Sequence, residues 1–350
     1  MKRVLVAAFG CVMGVSSAAW PQSHTTAPVL KYPISARSAG MGETGVADNS
    51  DPANIYYNPA NVVGPARVYV QGSRWDIAPL IADDLWIGGG SAGVSYARRD
   101  ANPFVWSADV SYERFDYGTS IATTPSGQPL GEYETVEHCI ALTIGAGLSI
   151  GERSELRVGA AAKRWDPDYA PDEFTIPDAP EDVTGYAFDA GATFALRAVV
   201  AEWNVTPAVA LAIVNAGPDV EYDSDNEDPL PTRFHFGTSV RVESPTVHVL
   251  TASVPLIALV YNLEGVERFH DDGFSWGIGG ELAVAQIVFV RAGVSDFDDE
   301  DTIADDYKDE SGWGFGLGVP AGSLRARFDY AKTSDAFDEE KLGFELAWLL

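Results

Sequence analysis

The chain has 350 residues and a formal net charge of −28, a balance that argues against nucleic acid as a partner. Its cysteines are Cys11, inside an apolar leader, and Cys139, so the chain without that leader has no internal disulfide framework and no cysteine-based zinc site.

The leader comes first. Lys2 and Arg3 precede an apolar run from Val4 to Val15, and Ser16-Ser17-Ala18-Ala19 supplies small residues at the cleavage distance. Residues 1–19 therefore read as a secretory signal peptide cleaved after Ala18 or Ala19, too short and wrongly flanked for a spanning helix. Ala8-Phe9-Gly10 is a poor lipobox for Cys11. Loss of Lys2 and Arg3 takes the charge from −28 to −30. No later stretch has the ~18 uncharged apolar residues of a membrane helix. If the chain spans a membrane it does so as a closed barrel, because only helices and barrels satisfy their backbone in lipid.

Residues 20–65 read as an N-terminal extension and plug, and 35–61 as its organising stretch. Gly40, Gly42 and Gly45 permit a small-residue turn and close backbone approach. Asp51-Pro52 matches a helix cap followed by proline at the first helical position. Asn58, before Pro59, is biased out of the helical region, so the helix ends there. The segment is expected to be a hatch in the mouth of a β-barrel; an ordinary helix capping any β-domain reads the same residues.

From about Ala66 the pattern has period two. Phe104, Trp106, Ala108, Val110 and Tyr112 form one face against Val105, Ser107, Asp109, Ser111 and Glu113. Tyr186, Phe188, Ala190, Ala192, Phe194 and Leu196 oppose Asp189, Thr193 and Arg197. Phe234, Phe236, Val240 and Val242 oppose Arg233, His235, Ser239 and Arg241; Leu324, Ala326, Phe328 and Tyr330 oppose Arg325, Arg327 and Asp329. Such runs lie near 66–75, 85–98, 103–115, 133–150, 154–165, 183–197, 202–215, 232–243, 246–261, 273–285, 286–295, 312–319, 323–332 and 341–350. That is about fourteen, each long enough for a tilted membrane strand. The expected fold is all-β: a transmembrane outer-membrane β-barrel of about 14 antiparallel strands over 66–350, with a helical plug at its N-terminal side. Short turns such as Gly151-Glu152-Arg153 would face the periplasm. Long acidic loops, 166–182, 221–228 and 296–310, would face outward. Trp75, Trp86, Trp165, Trp203, Tyr261, Trp313 and Trp348 are placed as interfacial girdles. The last strand alternates to the end, with Leu342, Phe344, Leu346, Trp348 and Leu350 on one face.

Catalytic signatures are weak. Gly89-Gly-Ser-Ala-Gly93 matches a nucleophile-elbow pattern but lies in a glycine-rich strand without a following helix. His138, His235, His248 and His270 show no metal spacing and are assigned polar lumen positions. Asp223, Asp225 and Asp228 lack the glycine and distal glutamate of an EF-hand. No enzyme, cofactor or metal is expected.

Ser35-Ala-Arg-Ser-Ala-Gly-Met-Gly-Glu-Thr-Gly-Val-Ala-Asp-Asn, followed by Ile55-Tyr-Tyr-Asn-Pro-Ala60, resembles the N-terminal signature of the PorV/PorQ family, which belongs with the FadL-like barrels. Leu230-Pro-Thr-Arg-Phe-His-Phe-Gly-Thr-Ser239, Glu267-Arg-Phe-His-Asp271, Trp276-Gly-Ile-Gly-Gly-Glu281 and Val290-Arg-Ala-Gly293 resemble later sections of these proteins. The resemblance implies a fourteen-stranded barrel with a hatch in the outer membrane. It implies two functions: type IX secretion, receiving exported proteins from a translocon, or FadL-like passage of long-chain fatty acids or other hydrophobic molecules. The start leans toward the first, which is the reading taken here, with transport as the alternative. The terminal Leu350, where such barrels usually carry an aromatic residue, and the strongly acidic loops depart from the family pattern. The plug motif is then Gly40, Met41, Gly42, Asn58, Pro59 and Ala60. Met41, Val46, Ile55, Tyr56 and Tyr57 are candidates to line a hydrophobic ligand. Lipid, a translocon or its cargo, or a hydrophobic small molecule are the expected partners.

Overall fold

The computed structural model describes residues 25–77, 79, 82, 84–98, 104–124, 126–168, 183–223, 226–270, 273–296, 309–334 and 339–349. The expected signal peptide, most of two acidic loops and Leu350 lie outside the described residues. Fourteen strands form the wall: β1 Ala66–Asp76, β2 Trp86–Arg98, β3 Phe104–Thr123, β4 Pro129–Ile150, β5 Ser154–Asp168, β6 Gly185–Leu196, β7 Trp203–Ala216, β8 Arg233–Glu243, β9 Ile257–Arg268, β10 Phe274–Val284, β11 Val288–Asp296, β12 Asp309–Ala321, β13 Leu324–Ser334 and β14 Glu340–Leu349. Each pairs antiparallel with its sequence neighbours, and β1 pairs with β14 (Val70 opposite Leu346), so the sheet closes with no free edge. No described helix is long and apolar enough to cross a membrane.

The period-two pattern has a direct physical outcome. The apolar phase of the strands points away from the axis and is largely exposed, Tyr96, Trp106, Ile140, Phe188, Val209, Leu317, Phe328 and Leu342 among it, while on β8 Phe234, Phe236, Val240 and Val242 are half-buried. In water such a surface would be an aggregation hazard; against lipid it is the required one. The opposite phase, including Asp109, Thr143, Asp189, His235, Glu281, Arg291, Arg327 and Glu345, is buried inside. The chain is a membrane-spanning β-barrel of the outer-membrane type.

Two ends differ. At one, strands are joined by short turns such as 151–153, 285–287 and 322–323; at the other lie the longer connections, including a small hairpin of Val220–Asp223 with Asn226–Asp228. The expected strand over 246–261 is corrected here. Thr246–Val249 and Ala252–Pro255 form a hairpin at the short-turn end, and β9 begins only at Ile257. Each arm of a hairpin keeps period two, so hairpin and strand read alike. Leu250, in the left-handed region at φ 51°, makes the turn that breaks the run.

Three other expectations also change. Trp75 and Trp165 are not in the girdles: they point inward and are 5% and 1% exposed. Arg197 follows the end of β6, where its exposed side chain binds Glu155 at the short-turn end. Of the four histidines, only His235 is buried in the lumen; His138 faces outward and stacks on Tyr112, His248 is on the short-turn hairpin, and His270 follows β9 in a loop. Ser91, the serine of the elbow pattern, sits mid-strand and accepts from the Gln71 amide.

Candidate functional site: the plugged lumen

Residues 25–63 thread the barrel from the long-loop end to the short-turn end and fill it. The segment opens with a single 3-10 turn, Pro28–Leu30. A one-turn α-helix, Ala36–Ala39, follows where only a small-residue turn was expected; the Ser35 side chain caps it by accepting from the Ser38 amide. Asp51 caps Pro52–Tyr56 as expected, but as a 3-10 helix, and Asn58 ends that helix and caps another, Pro59–Val62. Helices this short are not stable alone. What fixes them is side-chain amides on the plug backbone: Asn54 Nδ2 donates to Asp48 O, Asn58 Nδ2 to Val46 O and Asn61 Nδ2 to Gly45 O, with all three residues at most 1% exposed.

The wall meets this segment with missing side chains. A Cβ on Gly279 or Gly293 would overlap the Met41 backbone, one on Gly159 the Pro59 carbonyl, and one on Gly191 the Asn58 side chain. Gly42, at φ +66°, takes a conformation that favours glycine while its backbone lies against Val294. The alternating glycines of Trp276-Gly-Ile-Gly-Gly and Trp313-Gly-Phe-Gly-Leu-Gly are therefore inward positions against which the plug packs or that keep the wall thin. Their phase relative to the outward aromatics is the sequence signal that could have marked them.

Charge holds the plug from below. Arg37, 1% exposed, donates from Nε and Nη2 to the two oxygens of Glu281 (2.8 and 3.0 Å) and from Nη1 to Asp48 (2.6 Å). Glu281 also accepts from Arg291 Nε at 2.6 Å; Arg291 lies 2.7 Å from Asp329, and Arg327 joins Asp329, Glu345 and the plug residue Asp51. Arg325 binds Glu345 at the end of the chain. Three further wall groups grip the plug. Glu264 accepts the amides of Gly45 and Val46 and binds His235; Lys341 donates to Glu43 at 2.7 Å; Asn215 Nδ2 donates to Leu30 O. Burial pushes the Asp48 carboxyl up, but Arg37 and Arg241 outweigh it and hold the group well below the usual carboxylate range. At Asp51 burial wins over Arg327 and the group is raised. The seam between plug, β1, β13 and β14 encloses a void of about 10 Å³, room for one water molecule at most.

The long-loop end is different in kind. Val29, Leu30 and Ile34 of the plug insert among Trp75, Ile87, Phe115, Cys139, Trp165, Val220 and Leu230, with Tyr32 edge-on to Trp75 at 5.2 Å. A carboxylate there, Glu137, accepts from Val29 N, Trp165 Nε1 and Tyr117 OH, and Glu113 stands opposite Cys139.

The residues singled out from sequence are all in the plug and all buried. Gly40 and Met41 stand on the β10–β12 wall, while Asn58, Pro59 and Ala60 stand against β5 and β6. Val46, Tyr56 and Tyr57 pack with Ala195, Ala208, Ala212 and Val214; Ile55 packs with Val62 and Val63. Tyr56 OH donates to Leu30 O and Tyr57 OH to Glu43. Met41, Val46, Ile55, Tyr56 and Tyr57 are thus distributed over separate contacts rather than round one void, and none lines the small seam void. The apolar group at the long-loop end was not singled out, because its members come from distant strands and share no local pattern. Among the described residues no cluster could hold a metal ion.

No family model matches the chain, and no characterised protein matches it in sequence. Solved structures of similar shape are outer-membrane barrels of several kinds, FadL-type ones among them. They include a Pseudomonas aeruginosa FadL homologue, at 9% identity and TM-score 0.46 over 93% of this chain and 98% of that one. The Ralstonia pickettii toluene transporter TbuX aligns at 10% identity and TM-score 0.49 over 91% and 98%. The Pseudomonas putida toluene transporter TodX aligns at 12% and 0.46 over 89% and 96%. These are likenesses of overall shape, at identities where no residue's role carries over.

Proposed function

We propose that this barrel sits in the outer membrane of a Gram-negative cell, exported there by residues 1–19, and admits hydrophobic molecules at its long-loop, outward end. It acts as a plugged transporter and not as an enzyme. The observation that carries this reading is the apolar vestibule. It is the one described part of the lumen where aromatic and aliphatic side chains from six wall strands converge, and what occupies it is the chain's own Val29, Leu30 and Ile34. A hydrophobic solute offers the same contacts as those side chains and can replace them, since such contacts are non-directional. The plug fills the lumen below, so onward passage requires it to shift. FadL homologues and toluene transporters among the similar shapes are in keeping with this chemistry.

The export reading rests on the N-terminal resemblance and on long loops as a binding surface. Residues 169–182 and 297–308 of those loops lie outside the described residues, and no described contact favours a protein partner.

The test is photo-crosslinking of the purified barrel with a diazirine-bearing fatty acid and a diazirine-bearing arene, mapped by mass spectrometry. Adducts on residues 29–34, Phe115 or Trp165 that disappear in Leu30→Glu support the vestibule. Adducts confined to outward-facing residues, unchanged in that variant, refute it.

A further inference from the structure

Three strands carry the same tripeptide plan at their long-loop ends: Arg74-Trp75-Asp76, Arg114-Phe115-Asp116 and Arg164-Trp165-Asp166. Alternation turns each central aromatic into the vestibule; Arg74, Asp76 and Arg164 are exposed and Arg114 and Asp166 half-buried, whereas Asp116 is buried and accepts from Gly118 N. The three stand on β1, β3 and β5. Register places Arg74 opposite Gly88, Gly88 opposite Arg114, Arg114 opposite His138 and His138 opposite Asp166, so the triplets lie side by side around the rim, with Arg164 set two residues lower, opposite Ile140. Two strand spacings, about 10 Å of backbone, separate successive triplets. Trp86 of β2 lies between the first two, 4.5 Å from Arg74 and 5.6 Å from Arg114.

These arginines sit at the upper edge of the apolar belt that faces lipid, where Tyr112, Ile140 and Leu342 are exposed and Arg164 is level with Ile140. The other half of the rim is unlike it. At the same end of β6 to β12 the described outward side chains include Tyr186, Phe234, Phe236, Phe274, Trp276 and Trp313, and none of the described ones is lysine or arginine. Cations on one side of so acidic a chain, at headgroup height and flanked by an interfacial tryptophan, face an anionic surface. The aspartates leave them capacity. Arg74 gives only Nε to Asp76, Arg114 and Arg164 each give Nε and Nη2 to their own aspartate, and Arg114 also lies 3.9 Å from Glu134, so among the described residues part of each five-donor fork remains open. Arginine forks suit phosphate, which accepts two parallel N–H bonds.

We infer that the β1–β5 side of the outward rim binds the phosphates of a phosphorylated outer-leaflet glycolipid through Arg74, Arg114 and Arg164, whereas the β6–β12 side meets lipid through aromatics alone. This does not depend on what the vestibule takes.

The experiment is native mass spectrometry of the barrel in non-ionic detergent with bisphosphorylated lipid A, and with the same lipid dephosphorylated. The variant is Arg74→Gln with Arg114→Gln and Arg164→Gln; Arg153→Gln with Arg197→Gln at the short-turn end is the control. Retention of the bisphosphorylated lipid by wild type and control, and roughly tenfold weaker retention by the triple variant and for the dephosphorylated lipid, supports the assignment. Equal retention by the triple variant, or by dephosphorylated lipid, overturns it. Displacement of the lipid by inorganic phosphate at equal concentration also overturns it, because the site would then be one for free anions. Heat-modifiable migration reports folding, and if the triple variant fails there, Arg164→Gln alone takes its place with the same expected direction.

Discussion

The two ends of the lumen are closed by the same stretch of chain in opposite ways. At the long-loop end, Val29, Leu30 and Ile34 are held by apolar contacts that accept any hydrophobic partner of similar size. Toward the other end, Arg37, Asp48, Asp51 and Glu43 are held by directional pairs that accept nothing else. A segment built this way can exchange its upper residues for a ligand while its lower half stays latched. The vestibule is the sensitive part and the ionic body the fixed one.

Breaking the latch has the largest expected effect. Arg37→Met leaves Glu281 with one arginine fewer and Asp48 without its shortest partner, and removing one member of a buried pair costs roughly 3–5 kcal/mol. The barrel should still migrate as a folded, heat-modifiable species, while protease cuts within 35–61 and single-channel conductance rise. If the plug remains resistant, the latch lies elsewhere. A smaller steric effect is expected from Gly293→Val, which pushes a side chain into the Met41 backbone. Overpacking of this kind costs roughly 1–3 kcal/mol, and the same protease assay reads it. Gly280→Val should do less, since a Cβ there meets nothing closer than 3.6 Å.

Acid separates the two anchoring carboxylates. Asp48 is lowered in the fold, so its contribution is present above its unfolded value, about pH 4, and is lost as pH falls through the lower folded value. Asp51 is raised, so its contribution is present below about pH 4 and is lost as pH rises through its folded value. Between pH 7 and about pH 5.5 Asp48 stays ionised and the Asp51 contribution can only grow, so plug resistance to protease should not fall there. It should fall only in strong acid, and Asp48→Asn should loosen the plug at neutral pH and remove that acid step. Release between pH 7 and pH 5.5 would mean that other groups govern the latch.

Much of this was legible in order but not in space. Asp51-Pro52 announced a cap and Asn58-Pro59 a helix end, because both are local chemistry; that Asn58 also caps a following turn, and that the helices are 3-10, was not legible. The wall's polar face could be read from Asp189, Arg241 and Arg327, yet not the pairing of Arg37 with Glu281, 244 residues apart. The hairpin over 246–255 was hidden because both arms keep a strand's period. Trp75 and Trp165 looked like girdle residues because position near a strand end says nothing about which face the phase selects.

Sequence by itself determined the period-two wall, the number of strands and the apolar outer belt, since these depend on residues adjacent along the chain. It also determined that Asp51 caps a plug helix and that Asn58 ends it. Only closure of the barrel decided what the plug touches. It brought glycines from β5, β6, β10 and β11 to the plug backbone, carboxylates to its arginine, and a ring of aromatics to Leu30. Those contacts join residues across a cylinder, and the register that aligns them is fixed when the last strand meets the first.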